Sequence, residues 1–387
     1  MFCSFYCNDY IMSGVHFNKD EGSKLKLFTP GPVYVPERVL NAMAMPNDTH
    51  RSTFYREMHQ IAKEGLQKVL YTKNECLIFT SSATGIMEAC VRNLLKDDEK
   101  GLVLSIGDFG DRWYKIAIAN GKNCVKEGVD WGTAIRPNFL QEVLSKDKYS
   151  VVFLQSNETS TGVYNPIDKL VPIIKDHDAL VCIDGTSSMC GVKEEVDKLG
   201  IDVFLASVQK CFALPPGLAV ASISEEAFLK AEQVKNRGVY FDFISLLKKN
   251  KDNESPNTPP IPQIRGLVVQ LDYILNQEGL ENRFERHRKL GMRTRMWARD
   301  IPLEMFSEKG YESNTVSTIN NSLNLDIPEM LKRLINKGYK IVNGYGSLAN
   351  KTFRIGHMGD ISLNDLENML ENLADIIAEL RLKNLDK

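Results

Sequence analysis

The stretch Leu180-Val181-Cys182-Ile183-Asp184-Gly185-Thr186-Ser187-Ser188 runs from unbroken apolar residues into an aspartate, a glycine and three hydroxyl side chains. A second stretch, Val203-Phe204-Leu205-Ala206-Ser207-Val208-Gln209-Lys210-Cys211, has the same form and ends on a lysine. Strands that are apolar throughout are buried on both faces, the habit of parallel sheets covered by helices. Working outward, the same reading predicts strands at Cys76–Thr80, Leu102–Ile106, Val151–Gln155 and Leu218–Ser222. Helical patterns fall between them, at Gly85–Leu95, Arg112–Ala119, Asn138–Leu144 and Ile167–Lys175. Strand and helix in alternation predict an α/β fold with a mostly parallel sheet.

Beyond this region the pattern changes. Lys248–Pro262 (KKNKDNESPNTPPIP) is polar and proline-rich and reads as a loop. Helical patterns follow from Gly266 to Arg299 and from Ile327 to Lys337. A strand at Phe353–Ile355 and a helix from Leu363 to Leu380 complete a smaller α+β domain. The expected division is an extension over residues 1–24, a large domain over 25–265 and a small one over 266–387. The N-terminal segment is expected to pack with the small domain.

Composition narrows the function. The 387 residues are 43% hydrophobic and 25% charged, the balance of an ordinary globular chain. Forty-eight basic and 50 acidic residues leave a net charge of −2, without the basic excess of a general nucleic-acid binder. No apolar run reaches the ~18–20 residues of a membrane helix. Met1–Lys24 lacks the basic start and apolar core of a signal peptide. Several of the eight cysteines sit inside apolar runs, so a reducing cytoplasm is expected. Cys3 and Cys7 have no second pair to complete a metal site.

In a parallel α/β sheet, ligands bind beyond the carboxyl ends of the strands. Dinucleotide, P-loop, nucleophile-elbow and zincin motifs are all missing there. Three polar segments remain. Thr80-Ser81-Ser82-Ala83-Thr84-Gly85 lies between strand and helix, as an ordinary N-cap or as a phosphate cradle. Asp184 ends an apolar strand, where a charge wants a cation or a hydrogen-bond partner unless it merely caps a turn. Lys210 follows a buried strand, where desolvation favours the neutral, nucleophilic amine. Together the three suggest pyridoxal phosphate, with Lys210 as its Schiff-base lysine and Asp184 on the pyridine nitrogen.

At this point the chain resembles the class V aminotransferases of the fold type I pyridoxal phosphate superfamily. The nearest likeness is to the alanine–glyoxylate and serine–pyruvate aminotransferases. The resemblance rests on LFTPGPVYVPERVL (Leu27–Leu40), SSATGIMEA (Ser81–Ala89), GDFGDRW (Gly107–Trp113), NETSTGVYNPID (Asn157–Asp168), CIDGTSS (Cys182–Ser188), SVQKCFALPPGLA (Ser207–Ala219) and FRIGHMG (Phe353–Gly359). It implies a large domain with a mostly parallel seven-stranded sheet and a smaller C-terminal α+β domain. It implies pyridoxal 5'-phosphate held by Ser82, Ala83, Thr84, Phe109, Thr159, Asp184, Gln209 and Lys210. Phe109 would stack on the cofactor ring, and Thr159 would bond its phenolic oxygen. Thr258 matches a threonine that reaches the phosphate of a neighbouring subunit, so a homodimer with shared active sites is implied. Ser255 stands where the family places an aromatic hydroxyl.

For the substrates, the resemblance matches Arg354 to the arginine that grips the α-carboxylate, a role suited to a bidentate guanidinium. Gly31 matches a pocket-lining position. His50-Arg51 resembles a His-Arg pair that contacts a substrate phosphate in phosphoserine aminotransferases. The alternative for that pair is a helix start at a subunit interface. The expected activity is transfer of an amino group from alanine or serine to glyoxylate or pyruvate. Phosphoserine with glutamate and 2-oxoglutarate is the alternative. A lyase or a non-catalytic cofactor-binding protein is more remote. A cysteine desulfurase would need a late nucleophilic cysteine, and none follows Cys211.

Overall fold

A computed structural model of the chain describes residues 25–385. The expected extension, with Cys3 and Cys7, lies outside the described residues. The strands in chain order begin with β1 (Lys26–Leu27), β2 (Glu75–Phe79), β3 (Gly101–Ser105), β4 (Cys124–Gly128) and β5 (Val151–Gln155). A short hairpin of β6 (Asn157–Glu158) and β7 (Val163–Tyr164) follows, then β8 (Leu180–Asp184), β9 (Val203–Ser207) and β10 (Ala219–Ile223). The last four are β11 (Val316–Asn320), β12 (Tyr339–Lys340), β13 (Val342–Asn343) and β14 (Thr352–Gly356).

Seven strands form one sheet in the order β2-β10-β9-β8-β5-β3-β4. β10 alone runs against its neighbours. Register aligns Gln155 with Asp184 and Asp184 with Leu205, so β5 and β8 end at one level and β9 runs two residues beyond it. β3, β5 and β9 are buried at every residue, as their apolar sequences require. β4 was not among the expected strands. Its sequence, CVKEG, alternates in burial because it is an edge strand with polar residues toward solvent.

Helix Ala83–Leu94 packs under the strands through Ile86, Met87, Cys90 and Leu94. Helices Glu37–Met43 and Thr53–Leu70 lie against helix Ile261–Asp272. The expected boundary at 265/266 falls inside that last helix, whose Ile264, Leu267 and Leu271 belong to the core of the large sheet. A separate core begins around Leu290 and gathers Trp297, Met330, Phe353 and Leu370. Phe28 joins that second core, and β1 pairs with β12 in parallel, so the N-terminal segment packs with the C-terminal part.

The Lys248–Pro262 loop is shorter than expected. Helix Phe243–Lys251 runs into it and helix Ile261–Asp272 starts within it. Asp242 caps the first of these by accepting from the Ile244 N–H at 3.2 Å. Lys248, Lys249 and Lys251 suit its last turn, where the helix dipole favours cations.

Candidate active site

Lys210 lies three residues past the end of β9 and is only 8% exposed. Burial pulls its ammonium down to about 8, the nearby Arg354 pushes the same way, and Asp184 opposes both. The neutral amine therefore becomes the main form above about pH 8. Its Nζ donates to the Pro30 carbonyl. Gly31 packs directly on the lysine stem: a Cβ there would lie 2.5 Å from both Cδ and Cε of Lys210. Gly31 also has φ of +109°, which a side chain would strain.

Asp184 ends β8 on the same level. Its Oδ1 accepts from the Thr186 N–H at 2.8 Å. Burial raises its carboxyl, while the Thr186 bonds and the charges of Lys210 and Arg112 lower it. No cation lies within ion-pair distance of it among the described residues.

These two residues line one cavity of about 300 Å³ with Gly31, Ser82, Ala83, Thr84, Phe109 and Gln209. That volume is at the lower edge of small-molecule sites, roughly 300–1,000 Å³. Ser82 precedes the helix that starts at Ala83, and its side chain makes no capping bond. The Ala83 N–H donates to the Ser207 hydroxyl. The Oε1 of Gln209 and Oγ1 of Thr186 are buried with no partner among the described residues.

Thr159 and Arg354 form the next layer. Thr159 Oγ1 donates to Ser187 Oγ at 2.8 Å. Arg354, on β14, donates from Nη1 to the Thr159 carbonyl at 3.3 Å and from Nε to the Asn343 carbonyl at 3.2 Å. Burial lowers its guanidinium to about 10. No carboxylate lies within ion-pair distance of it among the described residues.

Beyond that layer, three more expected site residues, Arg51, His50 and Thr258, do not line this cavity within their own chain. Arg51 is paired with Glu254 at 2.9 Å, and Arg56 and Lys249 hold the same carboxylate. His50 is adjacent and partly exposed, and Thr258 is exposed.

Of the cavity residues that the sequence reading did not name as site residues, Arg112 and Tyr345 stand out beside Met87, Thr186 and Ser207. Tyr345 follows β13 and stacks on Phe109, with ring centroids 5.6 Å apart and planes 27° from parallel. Arg112 donates to the Tyr345 hydroxyl at 2.9 Å and lies over the Phe109 ring at 4.6 Å. Arg112 sits inside the GDFGDRW segment, so its neighbourhood was legible even though its role was not. Nothing local marks Tyr345: only the fold brings residue 345 to residue 109.

Comparison with known proteins identifies the family and the fold. The family described as aminotransferase class-V matches residues 27–348. An aminotransferase of Methanocaldococcus jannaschii is 36% identical over 372 residues, covering 95% of each chain. The serine–glyoxylate aminotransferase of Methylorubrum extorquens is 33% identical over 87% of each chain. The crystal structure of alanine–glyoxylate aminotransferase from Nostoc sp. superposes with a TM-score of 0.88 at 26% identity, covering 94% of this chain and 98% of that one.

Proposed function

The chain belongs to the class V aminotransferase family, and from that premise we propose that it moves an amino group from alanine or serine to glyoxylate or pyruvate. The observation that carries this reading is a small cavity lined by a buried lysine and a buried aspartate, with a buried arginine that has no carboxylate partner among the described residues in the adjoining layer, bonded to the Thr159 carbonyl.

Those residues fit pyridoxal 5'-phosphate. The helix start at Ser82, Ala83 and Thr84 and the side-chain amide N–H groups of Gln209, which lines the same cavity, suit a phosphate. Asp184 suits a protonated ring nitrogen, Phe109 a ring face, Thr159 a phenolic oxygen, and Lys210 a covalent hold on the aldehyde. When bound, the cofactor supplies a conjugated ring that takes up the electron pair left by the departing Cα proton.

The chain's own residues do the rest. Arg354 takes the donor carboxylate in a two-pronged grip and so fixes the direction of the Cα–H bond. Lys210, neutral near its shifted pKa, accepts the Cα proton at Nζ. Asp184 holds negative charge where the ring nitrogen is positive. Phe109 and Tyr345 narrow access of water to these groups.

The same reading includes a homodimer. Leu40, Met45 and Phe54 are about half exposed. They border the segment from Glu254 to Arg265 that carries Thr258, through the Arg51–Glu254 pair and the Arg265 bond to the Met45 carbonyl. A second copy covering this apolar face would bring Thr258 toward its partner's phosphate site. The six described cysteines are free and buried, which fits a cytoplasmic protein. No described helix is long and apolar enough to cross a membrane.

The test is a half-reaction. Alanine, serine, phosphoserine and glutamate are added singly to the cofactor-loaded protein, and the cofactor absorbance is followed. Fast conversion with alanine or serine is expected. Conversion by phosphoserine and glutamate alone would overturn the reading in favour of the phosphoserine alternative. No conversion by any donor would overturn transamination itself.

Gly31→Ala is expected to raise the Kd for pyridoxal phosphate at least about tenfold. The added Cβ must displace the Lys210 stem and hold a positive φ. Titration of the cofactor absorbance measures it, and an unchanged Kd would show that Gly31 does not set the position of the lysine.

A further inference from the structure

Helix Asp108–Ala119 carries Phe109 and starts at Gly107, which has no side chain to cap it. The first N–H groups of a helix need outside acceptors. Here they come from a segment some 50 residues away. Ser160 Oγ accepts from the Asp108 N–H at 3.1 Å. Glu158 Oε2 accepts from the N–H groups of Phe109 and Gly110, both at 3.2 Å. Glu158 Oε1 takes the Ser160 N–H at 3.0 Å and its hydroxyl at 2.6 Å.

Glu158 is fully buried and has no cation within ion-pair distance among the described residues. Burial raises its carboxyl to about 7, while the four donors and the helix dipole favour the ionised form. The approach is close: a Cβ on Gly107 would lie 2.5 Å from Glu158 Cγ. The next residue, Thr159, offers its carbonyl to Arg354. Residues 158–160 therefore hold the helix turn that carries Phe109, which lines the cavity, on one side and Arg354, in the adjoining layer, on the other.

We propose that Glu158 is a positioning residue that holds Phe109 and Arg354 in one frame, so that cofactor binding and donor binding depend on it together. This rests on the transaminase reading above. In Glu158→Gln the amide nitrogen must face at least one N–H donor, so at least one bond is lost and the carboxylate's charge at the helix start goes with it. The expected result is at least about a tenfold rise in the Kd for pyridoxal phosphate and a similar rise in donor KM.

The deciding measurement is a double-mutant cycle in the full chain, read by cofactor titration. If Glu158 acts through Phe109, adding Phe109→Ala to Glu158→Gln raises Kd little beyond the worse single variant. Independent effects that multiply would overturn the proposal, as would a Glu158→Gln protein that binds cofactor and donor like the parent. Ser160→Ala removes one hydroxyl from the same cap and keeps the test open should Glu158→Gln not fold. It is expected to raise Kd by about threefold and to show the same failure to multiply with Phe109→Ala. Multiplying effects in that pair would also count against the proposal. A parent chain that does not bind pyridoxal phosphate would overturn the underlying reading instead.

Discussion

Lys210→Ala is expected to lower kcat by at least about 10⁴-fold. General base catalysis alone contributes roughly 10²–10⁴-fold, and here the same amine would also anchor the cofactor. The amine is buried, its proton is weakly held, and no other lysine lines the cavity among the described residues. The loss should therefore appear in the chemical step and not in folding. Circular dichroism should match the parent. Borohydride should fix the cofactor to the parent chain at Lys210 and leave it dialysable in the variant. Turnover that survives in Lys210→Ala would sink the mechanism.

Arg354→Ala is expected to raise donor KM and lower kcat/KM by about 10²–10³-fold, equivalent to roughly 3–4 kcal/mol. Among the described residues Arg354 hydrogen-bonds only to carbonyls, at Asn343 and Thr159, and its guanidinium lies 5.2 Å from the centre of the Tyr345 ring. Its Nη2 makes no hydrogen bond among the described residues. A buried guanidinium so placed is held in position without a paired carboxylate, with only the Tyr345 ring and the more distant Glu158 and Asp108 to offset its charge, and a donor carboxylate would relieve that state. Arg354→Lys keeps the charge and loses the fork, so it should fall between parent and alanine variant. The control is an amine without a carboxylate. Its slow conversion should be the same in parent and variant, because only the carboxylate contact has gone. A donor KM within twofold of the parent would refute the assignment.

Much of the large sheet was legible. β5 and β8 have the expected bounds and β9 extends by one residue, because unbroken apolar runs have no stable place except between two layers of helix. β4 was not legible, since an edge strand has one partner and alternates toward solvent. The 248–262 loop was over-read because its lysines look like loop residues until a capping aspartate and two buried apolar side chains make them a helix end. The boundary at 265/266 was placed by a change of pattern, whereas packing assigns Ile264, Leu267 and Leu271 to the large core.

The site divides in the same way. The strand-end rule alone singles out Asp184, Lys210 and the turn at Ser82, Ala83 and Thr84, because backbone register brings strand ends together without help from distant loops. Arg354 was reached only through resemblance, and its place beside Thr159 depends on how β14 meets the large sheet. The α/β class and the candidate residues at the strand ends could be read from sequence without the fold, because periodicity and strand-end position are local properties. Tertiary structure alone decided that Tyr345 stacks on Phe109, that Glu158 caps the helix carrying it, and that Arg51 answers Glu254. Those contacts join segments about 50 to 240 residues apart, and no local pattern encodes which distant side chain will satisfy a buried donor or cover a ring.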